Sequence, residues 1–175
     1  MRTIAKPKEG EYAPYTMMYY ALLPDDGCVL QHMLDQLEEI NALVMTLAEE
    51  RLTTPWAPGE WTIKEALAHI IDDERVIAYR ALRFARNDPA LLPGFDQDLY
   101  ARNSGANARK LSEILEELGY VRRATAAFFN SLEDEAFDRY GVMAEHKTTV
   151  RALAYHIAGH GVIHIESIKQ NYGLS

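Results

Sequence analysis

The most informative stretch of the sequence reads Tyr155-His156-Ile157-Ala158-Gly159-His160-Gly161-Val162-Ile163-His164. It lies in a segment from about 149 to 172 with helical periodicity, for which Thr148 is a candidate N-cap. His160 and His164 fall on the apolar stripe of that helix, at positions where leucine or isoleucine would point into a core. The pattern therefore predicts a buried helix whose inner face carries imidazoles.

The two histidines of this stripe are one helical turn apart, so both imidazoles can reach one ion. Burying two imidazoles side by side is costly unless each is hydrogen-bonded or bound to a metal. Two interpretations stay open on the residues alone: a metal site, or core histidines satisfied by carboxylates or carbonyls. His156 extends the row one turn back along the helix.

Three further segments have helical periodicity, and breaks marked by proline and glycine separate them. They cover residues 26–51, 62–86 and 107–132. Thr62 and Glu65 have the spacing of a capping box at the start of the second segment. Because no strand-like alternation competes, we predict an all-α fold, a four-helix bundle with long inter-helix loops and at least one crossover connection.

The second helical segment supplies a third histidine, His69, beside its apolar stripe. Asp73 lies one turn further on, and Glu74 falls in the stripe itself. A buried carboxylate on that face could bind a metal, orient a ligand histidine or act as a base. The alternative is a solvated acidic cluster of Asp72, Asp73 and Glu74 that pairs with Arg75 and Arg80, and for Asp72 we favour that alternative.

Composition limits the class of protein and its partners. The chain has 175 residues, of which 48% are hydrophobic and 25% charged, as expected for one globular domain. A net charge of -8 argues against nucleic acid or an anionic membrane as the main partner. The single cysteine, Cys28, excludes a disulfide framework and agrees with a cytoplasmic location.

The remaining regions yield simpler expectations. We expect residues 1–24 to form an N-terminal arm packed on the domain and residues 25–175 to form the bundle. The aromatic stretch 12–20 of this arm offers a surface through which the chain could form a homodimer. His32 and His146 have no setting like that of the other histidines, and we assign both to the surface.

Several motifs occur in a fixed order along the chain. They are Trp56-Ala57-Pro58-Gly59-Glu60-Trp61-Thr62-Ile63-Lys64-Glu65, His69, Asp72-Asp73-Glu74-Arg75, Arg80-Ala81-Leu82-Arg83-Phe84-Ala85-Arg86, Leu92-Pro93-Gly94-Phe95-Asp96-Gln97-Asp98 and Ala158-Gly159-His160. In this order, and over nearly the whole chain, they resemble the DinB/YfiT-like superfamily of candidate metalloenzymes.

The resemblance implies a four-helix bundle that holds one divalent metal with three histidines. Carried over position by position, the ligands are His69, His160 and His164, and His156 is a neighbour that contacts the ligands rather than the metal. The chain departs from the family where related sequences often have a glutamate and a further histidine within this motif. Gly161 and Ile163 stand there instead, and both are expected to face away from the metal.

Three imidazoles leave open positions on a metal, which is typical of a catalytic site. Zinc and nickel are favoured, and iron and manganese stay open. The resemblance implies a metal-dependent hydrolase or an S-transferase with a low-molecular-weight thiol as cosubstrate, acting on a small molecule. A bundle that binds a metal or small ligand without turnover is the alternative. For the base or orienting residue, the candidates are Glu74 and Asp73.

Overall fold

The computed structural model describes residues 1–88, 90–143 and 145–174, so Pro89, Ala144 and Ser175 lie outside the described residues. The described elements are α1 (Met17–Ala21), α2 (Val29–Val44), α3 (Glu49–Thr53), α4 (Ile63–Ala85), α5 (Gln97–Asn103), α6 (Leu111–Asn130), β1 (Tyr140–Met143), β2 (His146–Thr149) and α7 (Val150–Tyr172), with three short 3-10 turns at Pro14–Thr16, Ala106–Ala108 and Asp134–Asp138. The fold is mostly helical, as predicted. Among the described residues, no helix is both long and apolar enough to cross a membrane.

The four long helices α2, α4, α6 and α7 form a bundle. Going around it, α2 packs against α7, α7 against α4, α4 against α6, and α6 against α2. Their apolar side chains form two separate core clusters, one at each end of the bundle. The helices α2 and α7 begin in the first cluster and end in the second, whereas α4 and α6 run the other way.

The direction of the helices requires a crossover connection. Because α4 and α6 are parallel neighbours, residues 86–110 must return along the bundle before α6 can begin. Within this returning segment, α5 packs against α4. Where α4 begins, the Thr62 hydroxyl donates to Asn107 Oδ1 at 2.7 Å and the Asn107 amide donates to Glu65 at 3.1 Å. The crossover predicted from loop length is therefore present.

A layer of polar side chains separates the two apolar clusters. Each of the four helices contributes to it midway along its length: Gln36 from α2, His69, Asp73 and Glu74 from α4, Arg122 from α6, and His160 and His164 from α7. Most of these side chains are buried. We call this set the polar layer.

The predicted ends of two helices can be compared with the structure. Thr62 accepts a hydrogen bond from the Glu65 amide while the Glu65 side chain accepts one from the Thr62 amide, so the capping box is present. At α7 the N-cap is Thr149 instead of the predicted Thr148, since its hydroxyl accepts from the Ala152 amide. Gly173 ends the helix in the left-handed conformation, at φ 59°.

Other predicted boundaries were wrong. The segment 26–51 is not one helix, because Ala48 is extended and the chain restarts as α3, which returns Leu52 to the second core cluster. The segment before α7 forms the antiparallel hairpin of β1 and β2, in which Met143 pairs with His146. Its four-residue strands are too short to show an alternating pattern. Gly141 is required there because a Cβ atom would overlap the Phe84 ring.

Candidate metal centre

The three histidines predicted as ligands converge in the polar layer. Nε2 of His160 lies 3.0 Å from Nε2 of His69 and 3.0 Å from Nε2 of His164. One ligand nitrogen from each residue lies within 4.8 Å of the others. His69 and His160 are buried, and His164 is half-buried. Two neighbouring antiparallel helices, α4 and α7, thus direct three imidazole nitrogens toward one point.

The environment keeps these imidazoles uncharged. Burial lowers the pKa of His69, with Asp73 acting in the opposite direction. Burial also lowers the pKa of His160 well below its usual range, although Asp73 opposes it. For His164, burial and the neighbouring His69 lower the pKa to about 4. Neutral imidazoles have lone pairs to offer, which is the state that binds a metal.

Asp73 lies behind the histidines, on the side away from the point of convergence. Its Oδ2 is 3.3 Å from Nδ1 of His160 and 3.5 Å from Nε2 of His156. Burial alone would raise the pKa of the Asp73 carboxyl, but contact with His156 and the proximity of His160 and His69 lower it overall. Asp73 Oδ2 makes no hydrogen bond among the described residues, but its negative charge beside Nδ1 favours the His160 tautomer with its hydrogen there, which leaves the Nε2 lone pair free.

Aromatic side chains enclose the histidines from two sides. The Trp61 ring lies 4.6 Å from the His69 ring and stacks on His164 at 6.2 Å between centroids. Tyr19 of α1 covers His156 at 4.6 Å and His160 at 5.7 Å. The sequence indicated Trp61 only as the residue before an N-cap, and it gave no sign that Tyr19 would reach α7.

Two glycines of α7 let neighbouring elements approach this closely. A Cβ atom on Gly159 would overlap the main chain of Tyr19, and one on Gly161 would overlap the side-chain amide of Gln36. The helix is continuous through both positions. These glycines therefore allow α1 and α2 to pack closely against α7.

Glu74 is not brought to the histidines. It is 1% exposed, and its Oε2 accepts a hydrogen bond from Nε of Arg122 at 2.7 Å. Nη1 of Arg122 donates to Gln36 Oε1 at 2.7 Å and to the Met33 carbonyl at 2.9 Å. Gln36 in turn donates to the Ala158 carbonyl at 2.8 Å. We call Glu74, Arg122 and Gln36 the arginine cluster, which links all four helices.

The other two histidines lie elsewhere. His32 is partly exposed, and its Nε2 is 2.9 Å from Oδ2 of Asp26. His146 is exposed at the end of the hairpin. Asp72 lies 3.8 Å from Arg75. None of these three positions contributes to the described three-histidine group.

A cavity of about 410 Å³ opens beside His164. The described residues that line it come from the loop before α4, from α4 itself, from α5 and from the end of α7: Trp56, Gly59, Glu60, Trp61, Thr62, Ala66, Asp98, His164, Ser167, Ile168, Asn171 and Tyr172. A small molecule in this cavity would reach the edge of the histidine group through His164.

The residues present fit a divalent metal. Three neutral imidazoles face one another with their Nε2 atoms, and each can serve as a hydrogen-bond donor at only one of its two nitrogens. One cation at the point of convergence would use all three lone pairs and would balance the Asp73 carboxylate. The group therefore fits a metal site.

Comparison with known proteins agrees with this geometry. A family model described as the DinB superfamily matches residues 32–168. A relative from Bacillus licheniformis, named as a candidate metal-dependent hydrolase, is 24% identical over 139 residues, which cover 77% of this chain and 79% of the relative. The solved structure of YfiT from Bacillus subtilis, described as a probable metal-dependent hydrolase with an unusual four-helix bundle topology, matches with a TM-score of 0.74 at 19% identity over 98% of this chain and 95% of that one.

Proposed function

The chain belongs to the DinB superfamily, and from that premise we propose that it is a metal-dependent hydrolase of small molecules. In this proposal His69, His160 and His164 hold the metal, which is zinc or nickel. The convergence of three imidazole nitrogens, from two buried histidines and one half-buried one, carries the proposal. The name of the Bacillus licheniformis relative supports it.

Each residue near the site has a role in this proposal. A divalent metal on three imidazoles supplies a Lewis acid with open positions that can activate water. Asp73 holds His160 in the required tautomer and is a positioning residue rather than a base. Trp61 and Tyr19 restrict solvent around the histidines. His156 contacts Asp73 and is not a ligand.

Glu74 has a different role from that of Asp73. Its carboxylate is bound to Arg122 and is not among the ligand atoms that converge. A base must lie within hydrogen-bond reach of the proton that it removes. We therefore propose that Glu74 stabilises the bundle and does not take part in hydrolysis.

Metal analysis of variants tests the proposed site. The chain is purified without a histidine tag, loaded with zinc or nickel, and its metal content is measured by elemental analysis. We expect one metal per chain, lost in His160→Ala and in His164→Ala and retained in His156→Ala. Retention of the metal by both ligand variants, or its loss only in the His156 variant, would place the site elsewhere.

Turnover assays test the proposed reaction. The metal-loaded protein is given a panel of esters and amides, and the chelator-treated protein is the control. We expect hydrolysis that disappears with the chelator and returns when the metal is restored. Turnover that requires a low-molecular-weight thiol would identify an S-transferase instead. A loaded protein with neither activity would favour a binding protein.

A further inference from the structure

The cavity beside His164 has a lining that selects for charge. We infer that it binds an organic cation, so that the substrate of the proposed hydrolase carries a positively charged nitrogen close to the bond that is cleaved. The part of this inference that concerns a substrate rests on the proposed function. It depends on the aromatic and acidic side chains that line the cavity.

Three aromatic side chains line the cavity: Trp56, Trp61 and Tyr172. Trp56 is 47% exposed, so the face of its ring is open to a ligand. The Tyr172 hydroxyl lies 3.1 Å from the carbonyl oxygens of Thr54 and Trp61. It thereby ties the loop that carries both tryptophans to the end of α7, so the rings are positioned before a ligand arrives.

The charged side chains of the lining are all acidic. Among the described residues that line the cavity, Glu60 and Asp98 are the charged ones, and they come from different segments. Glu60 lies in the loop before α4, and Asp98 lies in α5, which the crossover connection carries back to this place. Two separate segments therefore bring negative charge to one cavity.

Aromatic faces and carboxylates attract the same kind of ligand. The face of an aromatic ring has a negative potential, and tryptophan binds cations best of the three aromatic residues. Carboxylates add attraction for a cation and repel phosphates and carboxylic acids. The chain as a whole also has a net charge of -8, which raises the local concentration of cations.

The position of the cavity connects the cation to the proposed reaction. His164 lines the cavity and also belongs to the histidine group. The Trp61 ring lies against both His69 and His164. A cation bound against the tryptophans would therefore hold an attached ester or amide next to the histidines.

A pair of matched ligands tests the inference. Choline and 3,3-dimethylbutan-1-ol have nearly the same shape, and only choline is charged. The two tryptophans of the chain both line the cavity, so intrinsic tryptophan fluorescence reports binding without any turnover. We expect the zinc-loaded protein to bind choline about ten-fold more tightly than the alcohol, with a preference that decreases as salt is added.

Variants assign that preference to the cavity. We expect the double variant Glu60→Gln/Asp98→Asn to lose most of the preference for choline and to keep its affinity for the alcohol. Glu9→Gln/Glu38→Gln removes the same charge at exposed positions outside the cavity and should keep the preference. Trp56→Leu, which leaves both carboxylates in place, should also weaken choline binding. Equal affinities for the two ligands, or an equal loss in the control variant, would overturn the inference.

The same ligands separate this inference from the proposed function. The chemistry is tested with acetylcholine and its uncharged analogue 3,3-dimethylbutyl acetate, and the metal is measured in parallel. A choline preference in a chain that holds no metal at the histidines would overturn the hydrolase and leave the cation cavity in place. A metal-dependent hydrolase without a choline preference would overturn the cation cavity alone.

Discussion

Asp73 and Glu74 are neighbours in the sequence, but they belong to two polar clusters of opposite character. Glu74 pairs with Arg122, so the arginine cluster is electrically balanced by the chain itself. Asp73 adjoins neutral histidines whose nitrogens converge, so that side of the layer has a negative charge and three lone pairs. Burial of polar groups alone therefore does not distinguish the two clusters. What distinguishes the histidine side is that its ligand atoms converge on one point.

The largest effect is expected from breaking the arginine cluster. Arg122→Ala leaves the Glu74 carboxylate buried without its partner, which should lower the free energy of unfolding by about 3–5 kcal/mol. Urea denaturation measures this loss. The metal content of the chain that remains folded should not change, because the histidine group has no part in the pair.

Two further variants make this prediction specific. Arg123→Ala changes the next residue, which is exposed, and should have little effect on stability. Replacing both partners, in Arg122→Met/Glu74→Leu, should recover much of the loss, because a buried ion pair can often be exchanged for apolar side chains. A loss below about 1 kcal/mol in Arg122→Ala would show that the pair is not needed for stability.

The next effect concerns the histidine side and appears in the metal-free protein as the pH falls. The pKa of His164 is about 4 in the folded chain and about 6.5 in an unfolded chain. Between these values the unfolded chain binds more protons, so stability is present above pH 6.5 and is lost as the pH falls toward 4. Roughly 2 to 3 kcal/mol should be lost over this window.

Chemical denaturation of chelator-treated protein at several pH values measures that dependence. His164→Gln should flatten it, whereas His146→Gln, at an exposed position, should not. Bound metal should also flatten it, since a ligand histidine cannot take up a proton. A dependence that is the same in all forms would assign the loss to other groups.

Asp73 provides a smaller and more specific test of the comparison. Asp73→Asn keeps the shape of the side chain and removes the charge behind His160, so metal affinity should fall by about 10- to 100-fold. Titration with zinc against a competing chelator measures the affinity. Asp72→Asn alters the adjacent, partly exposed carboxylate and should change the affinity very little. Equal losses in the two variants would mean that Asp73 acts only through overall charge.

Local patterns predicted much of this architecture. The capping box at Thr62 needs only residues close in sequence, and the one-turn spacing of His160 and His164 follows from helix geometry. The resemblance placed His69 with them, and the structure brings all three nitrogens together. The metal itself, its identity and the roles of Asp73 and Glu74 in hydrolysis stay predictions.

The missed features depend on contacts between distant segments. Arg122 lies far from Glu74 in the sequence, and no local pattern states which of two adjacent carboxylates it will bind. Tyr19 reaches α7 only because α1 packs against that helix. The helix α5 and its Asp98 reach the cavity through the crossover. Long-range packing decided each of these outcomes, and spacing along the chain does not encode it.

The smallest effect tests how tightly α1 packs over the histidine side of the bundle. Gly159→Ala gains about 0.5–1 kcal/mol from helix propensity, but its Cβ atom would overlap the main chain of Tyr19. Overpacking of this kind costs about 1–3 kcal/mol, so the free energy of unfolding should fall by roughly 1 to 2 kcal/mol.

Gly119→Ala is the matched change on α6, where the new atom meets only the flexible end of Arg123. There the propensity gain should dominate, and stability should rise by about 0.5–1 kcal/mol. The two substitutions are chemically identical. Opposite signs in denaturation would show that α1 is tightly packed over the histidines, and a gain of stability in both would show that α1 moves to accommodate the new atom.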